Sequence, residues 1–60
     1  MYHVVDHNGI IDGLKDCTHH TFDGCLLRVI SASLPGEVLT DEEISKFFAQ
    51  MGWKISYMMN

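Results

Sequence analysis

Basic residues are few in this chain. Lys15, Arg28, Lys46 and Lys54 stand against eight acids, for a formal net charge of −4. Scattered as they are, they write no basic stripe, so direct binding of DNA or RNA is not expected. Cysteine is also sparse. Cys17 and Cys25 are too few for a secreted disulfide framework, and no CxxC pair occurs. No apolar run approaches the roughly 20 residues that cross a bilayer. No basic segment followed by an apolar core opens the chain, as a signal peptide would. With Met1 at the start, the expectation is a whole small gene product, soluble and cytoplasmic, that touches no membrane.

What the chain has in excess is apolar surface. Apolar residues make up 47% of 60 residues, with four Met, three Phe, two Tyr and one Trp. One domain over residues 1–60 has little interior for them, since a chain this short buries only about 60% of its unfolded surface. Part of that surface is expected to meet another chain, as a homodimer or against a protein partner. Phe48, Trp53 and Ile55 suit the monomer's own core. Trp53, Tyr57, Met58 and Met59 are the candidate interface, because aromatic and Met side chains concentrate at interface centres. Arg28, a single charge in an otherwise apolar run, joins them as an anchor, or else pairs with Glu37 or Glu43.

The clearest local signal is Leu39-Thr40-Asp41-Glu42-Glu43-Ile44. Thr40 and Glu43 fit a capping box, and Leu39 and Ile44 stand at the positions of a hydrophobic staple. Ile44, Phe47, Phe48 and Met51 then recur on one helical face. Gly52 can end the helix in the left-handed conformation, letting Trp53 fold back on Phe48. A helix is therefore expected over about 41–51, followed by a half-buried strand from Trp53 to Met58.

Before it, residues 2–14 read as a hairpin turning at Asn8-Gly9, which would set Val5 opposite Asp12 and His3 opposite Leu14. Lys15 to Gly24 reads as a polar loop. Cys25 to Ile30, apolar except at Arg28, reads as a central strand buried on both faces. The expected class is α+β: a small antiparallel sheet of three to four strands, in the order β-β-β-α-β, packed on one helix.

Chemistry could reside in Cys17-Thr18-His19-His20-Thr21-Phe22-Asp23-Gly24-Cys25. Cys17, His19, His20 and Cys25 supply the ligand types of a tetrahedral zinc site, although adjacent histidines rarely reach one ion and the spacing fits no known finger. The same loop has the residue types of a thiol enzyme, but a chain this small has little room for a substrate cleft beside its core. Among the remaining polar groups, the dispersed acids read as a solvated face.

The passage Ile44-Ser45-Lys46-Phe47-Phe48-Ala49-Gln50-Met51-Gly52-Trp53-Lys54-Ile55 resembles the helix-Gly-Trp-strand passage of HicA-type toxins, small RNA-cleaving proteins. In that family the catalytic histidine and its strand follow the passage; here His19-His20 precede it. The resemblance covers helix-to-strand grammar and carries over no catalytic residue.

The sequence thus points to a non-enzymatic protein-binding mini-domain without a cofactor. It would act by steric docking as a stoichiometric inhibitor or adaptor of the kind phages direct at host proteins, and as a homodimer. The alternative is a zinc-stabilised regulatory domain built on the Cys/His loop, and the third reading is an RNA-cleaving toxin.

Overall fold

A computed structural model describes residues 1–59. The chain runs β1 (Tyr2–Asp6), β2 (Gly9–Ile10), a 3-10 segment (Asp12–Cys17), α1 (Phe22–Ser33), α2 (Asp41–Met51) and β3 (Lys54–Tyr57). The three strands form one antiparallel sheet in the order β2-β1-β3. The class is α+β, with a helix leading directly into the last strand.

The helix read from the capping box forms over the expected residues. Thr40 accepts from the Glu43 amide while the Glu43 carboxylate accepts from the Thr40 amide, 3.2 and 3.0 Å. These bonds to Thr40 hold the Glu43 carboxyl below the usual glutamate range. Gly52 closes the helix in the left-handed conformation, φ 71°, and the Trp53 amide donates back to the Phe48 carbonyl. Trp53 stands edge-on to Phe47 and Phe48, with ring centroids 5.7 and 6.2 Å away.

The expected central strand at Cys25–Ile30 is instead the middle of a helix, α1. Thr21 caps it, accepting from the Gly24 amide at 3.0 Å, and the helix continues until Leu34-Pro35. A six-residue apolar run is compatible with strand or helix; the twelve-residue span from Phe22 to Ser33, with no proline inside and its one glycine confined to the first turn, decides for the helix. Cys25 and Val29, four residues apart, face inward and are fully buried, while Leu27 is 67% exposed. This helix, and not α2, lies across the sheet. The core is Val4, Cys17, Cys25 and Val29, with Tyr2, Ile11, Leu14, Phe48, Trp53 and Ile55 packed around it. The assignment of Phe48, Trp53 and Ile55 to that core therefore holds, whereas no α2 residue is fully buried.

The hairpin also closes differently from the expected register. His7-Asn8 form the loop, Asp6 pairs with Gly9, and Val5 meets Ile10 in place of Asp12. The Asp6 carboxylate takes the Asn8 amide at 2.7 Å, and Gly9 at φ 110° occupies a conformation few other residues tolerate. After Ile10 the chain leaves the sheet, so His3 never meets Leu14. Part of the expected Lys15–Gly24 loop is helical at each end, which leaves Thr18 to Thr21 as the connection.

Candidate protein-interaction surface

Two features of the fold lie side by side on the helix-bearing face of the sheet. One is the open edge of β3. The other is a groove of about 660 Å³ between α1 and α2, floored by the start of β3. Each helix supplies residues at helical spacing: Phe22 and Leu26 from α1, Ile44 and Phe48 from α2. Trp53 and Ile55 complete the apolar lining. Asp23 and Asp41, in the first turns of the two helices, also line it, as does Lys54.

The apolar surface continues beyond the groove. Phe22, half exposed at its rim, meets Tyr2 edge-on at 6.0 Å, and Tyr2 meets Tyr57 edge-on at 5.2 Å. Tyr57 is 61% exposed and Met59 beyond it 89% exposed, and Met58 between them is also exposed. Of the sequence candidates, Trp53, Tyr57, Met58 and Met59 all lie at or just beyond β3, with Trp53 in the groove and the other three along the edge strand and its continuation. Met58 exchanges backbone hydrogen bonds with Met1, which extends the β1–β3 ladder by one pair.

Arg28 is not part of this surface and sits in no strand. It lies on α1, and its Nη1 donates to the carbonyls of Asp16 and Thr18, at 3.4 and 3.3 Å, where the 3-10 segment ends. Neither Glu37 nor Glu43 is its partner in these bonds. A cation at the carbonyl end of a helical segment is the electrostatically favoured place for it.

The Cys/His loop is divided between the core and the surface. Cys17 and Cys25 are free thiols buried in the core cluster. Burial pushes both thiols up, reinforced by Asp16 for Cys17 and by Cys17 for Cys25. His19 pairs with Tyr2 through two backbone hydrogen bonds, and its ring turns over the first turn of α1. There Nδ1 accepts from the Thr21 amide at 3.1 Å and lies 3.0 Å from the Thr21 hydroxyl. His20 stacks on His19 with centroids 4.3 Å apart. Desolvation, then the neighbouring His20, lower the His19 pKa. Among the described residues no group of three or more His, Cys, Asp or Glu is placed to hold a metal ion.

The groove itself is the feature that sequence reading missed, because one wall belongs to α1. The available signal was Thr21 ahead of Phe22, Leu26 and Ile30, a capped helix with an apolar stripe. Among the described residues no helix is long and apolar enough to cross a membrane. Comparison with protein-family models, with curated proteins and with solved structures finds no match for this chain.

Proposed function

We propose that this chain is a non-enzymatic protein-binding mini-domain, an inhibitor or adaptor that acts by steric docking and works as a homodimer. The observation that carries the reading is the groove between α1 and α2, an apolar concavity bordered by exposed aromatic and Met side chains. Its lining favours an apolar segment of a partner protein, with a basic residue set against Asp23 and Asp41. The partner is a protein and not a nucleic acid, because the chain is acidic and its four cations are dispersed. The thiols most suited to nucleophilic or metal chemistry are buried and held protonated, which favours binding over catalysis.

The test is a photoreactive phenylalanine analogue at Phe22, on the groove rim. In extracts of the cells where the protein acts, the reading predicts a discrete one-to-one adduct with a single other protein. Ala49→Arg, an exposed position in the groove lining, should abolish that adduct while leaving the fold intact. Adducts only between copies of this chain, or a foreign adduct indifferent to Ala49→Arg, would overturn it.

A further inference from the structure

The open edge of β3 carries more information than exposure alone. Met1 and Met58 exchange both backbone hydrogen bonds, so they form a hydrogen-bonded pair of the antiparallel ladder. Along such a ladder hydrogen-bonded and non-hydrogen-bonded pairs alternate. The His3–Ser56 and Val5–Lys54 pairs are therefore hydrogen-bonded, and the Tyr2–Tyr57 and Val4–Ile55 pairs are not. Tyr2 confirms the parity, since its amide and carbonyl turn the other way, to His19. The amide and carbonyl of Ile55 and of Tyr57 consequently point away from β1, towards an edge that no strand occupies among the described residues.

From this pattern we infer that β3 pairs with β3 of a second copy, antiparallel, with Ser56 opposite Ser56 on the two-fold axis. This inference rests on the homodimer part of the reading above and gives it an address. In that register Ile55 of each copy exchanges both backbone hydrogen bonds with Tyr57 of the other, and the two sheets join into one six-stranded sheet. Sliding towards Trp53 would lose donors, because the Trp53 amide is already spent on Phe48. Sliding the other way would run off the strand, which ends at Tyr57.

Charge agrees with self-pairing. Trp53 to Met59 contains no acid in a chain that carries eight, and its one charge, Lys54, falls opposite Met58 of the second copy, not another lysine. A stable interface covers about 800 Å² per partner, a large share of a molecular surface of 4304 Å². The edge alone falls short of that, but the two-fold axis stands perpendicular to the sheet and leaves both helix layers on one face. Tyr57 of one copy then lies beside Ile55 at the groove floor of the other. The dimer buries the most exposed aromatic of the edge and sets two grooves next to each other for the target.

Cysteine placed on the axis tests the register. Residues facing each other in a non-hydrogen-bonded pair have Cα atoms about 4.5 Å apart, within reach of a disulfide. Two copies of Tyr57 would stand roughly 8–9 Å apart, beyond that reach. Ser56→Cys should form a covalent dimer under oxidised glutathione, whereas Tyr57→Cys should not. The wild type, with Cys17 and Cys25 buried, should stay uncrosslinked. Tyr57→Pro removes an outward donor without touching the β1 ladder and should raise the dimer dissociation constant roughly tenfold or more in native mass spectrometry. A monomeric wild type overturns the pairing, as does crosslinking at position 57 in place of 56. A dimer that ignores both cysteines and the proline overturns it too. Each of these outcomes leaves the foreign adduct at Phe22 to be decided separately.

Discussion

The imidazole of His19 lies where a side chain on Gly24 would have to stand. A Cβ built on Gly24 overlaps Nδ1 and its neighbouring ring carbons, so the first turn of α1 is shaped around this ring. The Thr21 hydroxyl joins the two residues, accepting from the Gly24 amide and donating to His19 Nδ1.

Gly24→Ala should therefore destabilise the fold by about 1–3 kcal/mol through overpacking, although alanine in a helix ordinarily gains about 0.5–1 kcal/mol over glycine. In a His19→Ala background the sign should reverse, with the double variant more stable than His19→Ala alone. Chemical denaturation of the four proteins closes the cycle. Equal losses in both backgrounds would mean that the ring does not fill that space. Desolvation of the ring, and after it the neighbouring His20, add a pH dependence. His19 binds its proton less readily folded than unfolded, so its contribution is complete above the unfolded pKa and falls as pH drops through that value towards the folded one.

Leu27 and Val29 separate the two conformations that Cys25–Ile30 could take. In a strand they would share a face. In α1 they do not: Val29 is fully buried and Leu27 points largely to solvent. Val29→Ala should cost about 2 kcal/mol from lost transfer energy and an unfilled cavity. Leu27→Ala should stay within about 0.5 kcal/mol of wild type. Urea titrations giving comparable losses at both positions would argue for the strand.

What the sequence made legible follows from where its information is stored. Thr40, Glu43 and Gly52 act on their own backbone, so α2 and its exit into β3 can be read from a dozen residues. α1 carries no Glu at its third helical position, only Gly24, and the reason for that glycine is a ring five residues back in the chain. Nothing in the local pattern announces it. The surface position of Tyr57 and Met59 is legible because it follows from the end of an alternating strand. The groove is not, because it exists only between two helices of which one, by its local apolar run, reads as a strand.

The α2 cap should respond to mutation and to pH in the same place. No α2 residue is fully buried, so the helix depends on its own ends more than α1 does. Thr40→Ala should cost about 1 kcal/mol, seen as faster amide exchange at the start of α2 before any global change. Glu43 has a folded pKa below its unfolded value. Its contribution is thus complete above the unfolded value and is lost as pH falls through the folded one. Glu43→Gln should flatten that acid limb, and an unchanged pH profile would remove the capping box from the account.

The two thiols give a prediction that also weighs the zinc alternative. Buried and held protonated, Cys17 and Cys25 should react slowly with a disulfide reagent at neutral pH, and both should react at once in denaturant. The unfolded chain releases these protons first, so stability should decline as pH rises past the ordinary thiol range and continue to fall towards the higher folded values. A zinc site using Cys17 and Cys25 would behave in the opposite way, because bound metal requires thiolates and makes folding depend on it. A chelator should therefore leave the thermal midpoint of the purified protein unchanged. A midpoint that falls with chelator and returns with one equivalent of zinc would make the Cys/His loop, and not the groove, the centre of this protein's function.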